Sequence, residues 1–463
     1  MTTPVTNDKT LSSPSYYPLS DHKALAAHYV GRMLGDIATP ALVLDRGKIT
    51  KHCTAMLHVC EKLGVGFRAH VKSHKTLELS KLQVGATGPA NFIVSTVIEA
   101  ENLLPLVLDC QRQGREASIL YGVPVPQSSI TRLIALAQTC APGTINIIID
   151  NLDAFEKLQS VVATAHVQMG VFIKIDTGYQ RAGIRTCSPN FGPLVTAIAN
   201  SSAGAFLQGF YSHYGHSYAG NSPEDAAQGL IEELVGLETA CSAVPSTFRR
   251  KIVLSVGATP TATAAQNMLA ASSSPLVAEF HNVLDRLKGR YRVELHAGVY
   301  PLLDCQQVAT HARPADAAAS SSFPRLCKDS IGLRMLLEVT SVYTERSRPE
   351  ALVSAGSLAM GREPCKSYPG WGIVTADLGN QGAVVYDEGG ERTGWIVGRI
   401  SQEHGILTWE GDVGRCRKLA VGDRVMVWPN HACVAGAGFG WYLVVDGEDG
   451  QEVVDVWVRW RGW

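Results

Sequence analysis

The stretch RAHVKSHKT, residues 68–76, places an arginine, two histidines and two lysines directly behind the apolar-leaning run LGVGF at 63–67. Side chains alternate faces along a strand, so Phe67, Ala69 and Val71 share one face and Arg68, His70 and Lys72 the other. If the strand is buried, that second face holds a lysine where burial is costly unless the amine is paired or chemically used. Desolvation makes such an amine a nucleophile and a base. A salt bridge is the alternative for Lys72, and the stretch alone does not separate the two. Lys75 falls past the strand end, where solvent or a capping role is expected.

A second pair, His431 and Cys433, lies in WPNHACVAGAG, residues 428–438. In an extended segment, residues two apart project on one face, so imidazole and thiolate could chelate one metal. A buried cysteine beside an incidental histidine is the alternative. No partner pair with zinc-finger spacing exists, which argues against a closed structural site. Two protein ligands leave positions open for substrate, as a catalytic metal requires. Thiolate ligation suits zinc better than manganese or magnesium.

The elements that must position these residues follow from hydrophobic periodicity. Strand candidates fall at 64–72, 91–97, 117–123, 145–150, 167–176, 207–214, 251–256 and 291–296. Helical-period stretches lie between them, for example at 129–139, 151–165, 224–242 and 277–288. Eight strand–helix units predict a (β/α)8 barrel over 39–311. A doubly wound sheet is the alternative, but no GxGxxG follows the first strand. Barrel enzymes carry their chemistry at the C-terminal strand ends, where Lys72, Asp150, Asp176, Tyr211 with His213, and His296 fall.

The turns SVGATP (255–260) and HAGV (296–299) follow strands seven and eight, where barrels often bind phosphate through backbone N–H groups. Ordinary glycine turns are the alternative. Combined with a strand-one lysine, these turns suggest pyridoxal 5'-phosphate (PLP) held by Lys72. Residues 312–324 read as a linker and 270–275 as a small-residue loop. Beyond the linker, 325–463 carries short β-branched and aromatic runs at 333–343, 372–377, 382–386, 395–400, 424–428, 441–445 and 453–460. They predict an antiparallel β domain, which residues 1–38 are expected to join. The fold class is therefore α/β plus β.

Lys+Arg total 41 against 42 Asp+Glu, and no basic stripe occurs, so nucleic acid is not an expected partner. The first residues lack an apolar signal core and no run of about 18 apolar residues occurs, so neither secretion nor a membrane partner is expected. Eleven cysteines without a CxxC pair predict reduced thiols and a cytoplasmic setting.

TPALVLDR (39–46), RAHVKSHKT (68–76) and KIDTGYQRAGI (174–184) together resemble the fold-type III, alanine-racemase-like PLP enzymes. The resemblance is narrower to the D-serine dehydratase and D-threonine aldolase group, and it runs from about residue 36 to the terminal RGW. It implies that Lys72 carries the PLP and that Arg181 contacts the cofactor's phenolic oxygen. Gly257, Ala258, Thr259, Gly298 and Val299 would bind its phosphate, and Tyr211 would sit near the ring. His431 and Cys433 would bind Zn2+, as in the dehydratases; the aldolases carry histidine and aspartate there. Gln402, Glu403 and His404 of SQEHG would line the site or support the metal.

The family usually has proline at the position of Ala69 and, in several members, an aromatic residue near Leu303. The implied activity is PLP- and zinc-dependent elimination of the β-hydroxyl of a small-molecule D-amino acid, D-serine, giving pyruvate and ammonia. D-threonine aldolase or 3-hydroxyaspartate dehydratase activity is the alternative. A non-catalytic PLP carrier is a third, against which the β domain speaks. A homodimer is also implied, with each site formed where one subunit's β domain meets the other's barrel.

Overall fold

INIII (145–149) and MGVFIK (169–174) are buried along their whole length, as strands between an inner barrel face and an outer ring of helices must be. The computed structural model describes residues 17–202, 204–269, 274–315, 323–447 and 450–463. Its first strand, β1 (Ala41–Asp45), leads through the helix Arg46–Leu63 into eight parallel strands. These are β2 (Gly66–His70), β3 (Ala90–Val94), β4 (Ala117–Pro124), β5 (Ile145–Ile149), β6 (Met169–Lys174), β7 (Ala205–Tyr211), β8 (Val253–Val256) and β9 (Arg292–Ala297). They close into a barrel in sequence order.

The outer helices start where side chains can take up their free N–H groups. Asn151 accepts from the Ala154 N–H ahead of Leu152–Ala165, and Ser222 accepts from Asp225 ahead of Pro223–Cys241. Proline in the first turn of the latter costs nothing, because its missing donor would be unpaired there anyway.

The second unit is a nine-stranded sheet of β10 (Leu333–Tyr343), β11 (Glu350–Val353), β12 (Gly372–Val374), β13 (Gly394–Ile400), β14 (Gly405–Glu410), β15 (Arg424–Pro429), β16 (Trp441–Val445) and β17 (Asp455–Val458), together with β1. Its order is β11-β14-β13-β12-β15-β10-β1-β16-β17. All pairs are antiparallel except β1 with β16. Leu25, Leu34, Ile37 and Val43 pack with Leu443 and Val456, so the segment ahead of the barrel lies in this unit, and the chain then crosses to the barrel and returns.

The structure departs from the sequence reading at several points. The barrel does not begin at residue 39: β1 belongs to the sheet, and the barrel closes on β2. The run 382–386 is not a strand, because Gly382 turns the chain at φ +71°. β11 and β14 were not anticipated. Most of the expected linker 312–324, namely 316–322, lies outside the described residues, as do 270–273 of the small-residue loop and 1–16 of the N-terminal segment. Among the described residues no helix is long and apolar enough to cross a membrane, and all eleven cysteines are free.

The barrel interior is layered. At its floor the Arg68 guanidinium donates from Nε and Nη2 to both oxygens of Glu294, at 2.5 and 3.1 Å, and from Nη1 to Ser118 at 3.0 Å. Above it Ile93, Leu120, Ile148, Phe172, Tyr211 and Val253 form an apolar layer. Polar groups meet open space at both barrel ends, around Arg68 and Glu294 below this layer and at the C-terminal strand ends above it. Removing one member of a buried ion pair leaves the other charge uncompensated. Glu294→Leu is therefore expected to lower unfolding free energy by about 3–5 kcal/mol in urea titrations, and Arg68→Met combined with Glu294→Leu to recover most of it.

Candidate active site

β2 stops two residues short of Lys72. The Val71 N–H makes the last ladder bond, to Ile93 O at 3.1 Å, and the chain then turns, with Lys75 N–H donating to Val71 O at 2.8 Å. Lys72 thus projects from a turn at the barrel mouth rather than from the strand. The turn is fixed by its neighbours. His74 is buried, with Nε2 donating to Gln83 Oε1 at 2.9 Å and Nδ1 accepting from the Thr76 N–H at 3.1 Å. Burial pushes the His74 imidazole down to about 3. Lys75 does not face solvent: its ammonium pairs with the fully buried Glu99 at 2.9 Å.

Lys72 lines a cavity of about 460 Å³. Three imidazoles surround its mouth. His70 ends β2. His213 follows β7, and its Nδ1 donates to the Gly257 carbonyl at 3.0 Å. His296 on β9 meets Ser255 Oγ through Nδ1 at 3.0 Å, while its buried Nε2 has no hydrogen-bond partner. Burial first, and then neighbouring cations including Lys72, hold all three well below the ordinary histidine range. They are neutral donors and acceptors, not charges.

Arg181 reaches the cavity from a loop that two carboxylates shape. Asp176 accepts from the Gly178 and Gln180 N–H groups at 3.0 Å each, and Asp150 accepts from Gly183 at 3.1 Å. The Arg181 guanidinium lies over the Tyr179 ring at 5.1 Å.

Ala258, Thr259, Gly298 and Val299 also line the cavity. Gly257 adopts φ +139°, and a Cβ there would lie 2.3 Å from the His296 carbonyl, so only glycine makes this turn. Three of the expected phosphate donors are already used. The Gly257 N–H donates to Glu233 at 3.2 Å, and the Ala258 N–H to Thr261 Oγ1 at 2.8 Å. The Val299 N–H donates to Thr259 Oγ1 at 3.2 Å. Tyr211, expected near the ring, lies a layer lower and does not line the cavity. It stacks on His296 with centroids 4.3 Å apart.

His431 and Cys433 line the same cavity from the sheet unit. The segment is not extended, as the two-residue spacing suggested. β15 ends at Pro429, and His431 precedes a four-residue helix, Ala432–Ala435, that contains Cys433. Asp304 anchors the helix by accepting the Ala432 N–H at 2.9 Å. Cys433 Sγ lies 3.0 Å from Ser73 Oγ, on the Lys72 turn.

Burial raises the Cys433 thiol, but the neighbouring His431 and the Lys72 charge outweigh it and the net shift is downward. Burial lowers the His431 imidazole, but Cys433, Asp304 and Glu363 carry it up to about 9. The two shifts are reciprocal, each side chain favouring the charged form of the other. His431 Nδ1 is buried without a hydrogen-bond partner, 3.8 Å from Glu363. An unpartnered ring nitrogen beside a thiolate-leaning sulfur is a fitting soft donor set for zinc. Among the described residues no cluster of three or more His, Cys, Asp or Glu side chains is arranged to hold a metal ion. Gln402, Glu403 and His404, expected near this site, form an exposed turn between β13 and β14 and do not line the cavity.

Residues 44–273 match the family model "Alanine racemase, N-terminal domain" and 332–445 the model "Putative serine dehydratase domain". The D-serine dehydratase of Schizosaccharomyces pombe is 34% identical over 97% of this chain and 98% of its own length. That of Saccharomyces cerevisiae is 32% identical over 94% and 99%. The chain belongs to the D-serine dehydratase family.

Among solved structures, the D-threo-3-hydroxyaspartate dehydratase from Delftia sp. HT23 is 26% identical with a TM-score of 0.70, over 93% of this chain and all of that one. A cysteine-to-alanine variant of that dehydratase is described as metal-free, and a histidine-to-alanine variant carries its change two positions earlier. The fold of this family member is thus the alanine-racemase-like barrel plus sheet, a PLP enzyme scaffold.

Sequence reasoning placed His213 and His296 at the strand ends where the chemistry falls, without giving either a role. It missed Glu233 entirely, because a glutamate within an amphipathic helix reads as solvent-facing. Here Glu233 is fully buried and accepts from Ser212 Oγ, the Gly257 N–H and Thr261 Oγ1 at 3.0, 3.2 and 3.2 Å. Burial pushes its carboxyl up to about 7 from an ordinary 4.5, despite those bonds.

An acid with a raised folded pKa binds more protons folded than unfolded. The stability it contributes is therefore lost as pH climbs from 4.5 toward 7. Relative to the wild type, Glu233→Gln is therefore expected to gain in thermal midpoint between about pH 5 and about pH 8. Parallel profiles for the two proteins would contradict this.

Proposed function

We propose that the protein is a PLP- and zinc-dependent D-serine dehydratase that eliminates the β-hydroxyl of D-serine to give pyruvate and ammonia. The observation that carries this reading is that Lys72 and the His431–Cys433 pair face one cavity from two different units of the chain. A base for the Cα proton and a donor pair near the β-oxygen can thus act on one small substrate.

The cavity fits PLP. Thr259 and Gly298 offer backbone approach for a phosphate, Arg181 stands at the rim, and the neutral imidazoles of His213 and His296 flank the ring position. PLP, when bound at Lys72, supplies the electron sink for a Cα carbanion. Zn2+ on His431 and Cys433 supplies a Lewis acid for the departing hydroxyl. Lys72 Nζ takes the Cα proton. Ser73 and Asp304 hold Cys433 and its helix against the barrel, so both ends of the substrate meet fixed groups. The metal-free cysteine variant of the hydroxyaspartate dehydratase, and its histidine neighbour two positions earlier, have the spacing of His431 and Cys433.

The eleven unpaired thiols support a cytoplasmic setting, and a homodimer is part of the same proposal, read out by light scattering. Barrel and sheet of one chain meet at the cavity, where the resemblance implied that one subunit's β domain meets the other's barrel.

The protein incubated with D-serine is expected to release pyruvate and ammonia. Glycine and acetaldehyde from D-threonine as the main products would replace this reading with aldol cleavage. Lys72→Ala is expected to abolish turnover and remove an absorbance band at ~420 nm. Cys433→Ala is expected to lose bound zinc by elemental analysis while keeping the thermal midpoint within about 3 °C, since a surface-opening Cys→Ala removes little packing.

A further inference from the structure

A second cavity, of about 530 Å³, shares Lys72 and Cys433 with the first and opens toward the C-terminal segment. Its charged lining side chains are Lys72, Lys75, Arg459 and Arg461, and no Asp or Glu side chain lines it. Lys75 is neutralised by Glu99. Arg459 is not. It is 4% exposed, its Nε donates to Tyr442 OH at 3.1 Å, and no carboxylate stands within ion-pair distance of it among the described residues. A buried guanidinium held only by a phenol is costly unless an anion arrives to complete it. Its rigid fork suits a carboxylate.

We propose that Arg459 binds the α-carboxylate of the amino-acid substrate. The inference rests on the function proposed above. With the carboxylate on Arg459, the Cα–H at Lys72 and the β-hydroxyl toward His431 and Cys433, three different substituents of one carbon skeleton meet three separate groups. Three such points discriminate handedness, so Arg459 is a specificity-determining residue for the D enantiomer. Tyr442, fully buried on β16, positions it: the Nε bond leaves the outer edge of the guanidinium for the ligand. Trp460, whose N–H donates to Lys75 O at 2.8 Å, ties this strand end to the Lys72 turn and keeps the two cations on one wall.

The test uses the holoenzyme and D-glycerate, which keeps the carboxylate and β-hydroxyl of D-serine but lacks the amine. It therefore binds without reacting. Calorimetry should show D-glycerate binding to the wild-type protein, and Arg459→Met should weaken it by roughly 30-fold or more, with KM for D-serine rising in parallel. The visible absorbance of the cofactor should not change, and 2-aminoethanol, which has no carboxylate, should inhibit both proteins equally.

Should Arg459→Met not fold, Arg459→Gln keeps a donor for Tyr442 while removing the charge, and the same loss is expected. Absence of D-glycerate binding by the wild type, or binding unchanged in a folded variant, overturns the proposal. Arg459-dependent binding by a protein that makes no pyruvate would sink the dehydratase reading and leave this one standing. Pyruvate formation with Arg459-independent binding would do the reverse.

Discussion

Ser73 and Cys433 stand 360 residues apart in the chain, yet Ser73 Oγ and Cys433 Sγ lie 3.0 Å apart. The site depends on that approach, because Lys72 belongs to the barrel and His431 with Cys433 to the sheet. Each side of the contact is braced. On the barrel side, His74 locks to Thr76 and Gln83, and Lys75 to Glu99, so the turn carrying Lys72 cannot swing without breaking buried bonds. On the sheet side, Asp304 accepts the Ala432 N–H, and Asn430 donates to the carbonyls of Glu363 and Gly370. Buried polar bonds of this kind are expensive to break singly, which is what makes the geometry unique.

The same economy of charge governs the barrel. Its floor holds a compensated pair, Arg68 with Glu294, and its middle is apolar. Its mouth gathers Lys72, Arg181 and Lys174 with three imidazoles. Burial, and then the Arg181 charge, push the Lys174 amine down to about 8. Neutral histidines are what allow these cations to share the space, since a protonated imidazole among them would be repelled. The mouth thus offers buried cationic groups that suit phosphate and carboxylate.

Much of this was legible in the sequence, and the reason is physical. Parallel strands buried on both faces write continuous apolar runs, so the eight barrel strands could be counted. The period of two placed Arg68 and His70 inside, and both are buried there. What could not be read was partnership across distance. ALVLD was not read as a strand, and the domain bounds 39–311 counted it with the barrel, because nothing local says which unit accepts it. Tyr211 shares its inward parity with the site residues, but parity does not give height along the barrel axis. Glu233 sits on a helix whose neighbours Glu232 and Glu224 look outward, and only the packed structure turns it inward. The exposed turn 401–404 carried a family pattern without a local physical reason, and it lies away from the cavity.

The HxC motif shows the limit from the other side. Its chelating reading was argued from an extended segment, where residues two apart share a face. In the structure His431 is extended and Cys433 helical. Both side chains line the one cavity, His431 from the residue before the short helix and Cys433 from within it. The local geometry invoked was different, while the chemistry demanded of it was the same: a nitrogen and a sulfur facing one volume, with their remaining contacts supplied by the barrel. Proximity of donor atoms is therefore set by the strand end at Pro429 and the Asp304 anchor, not by strand periodicity.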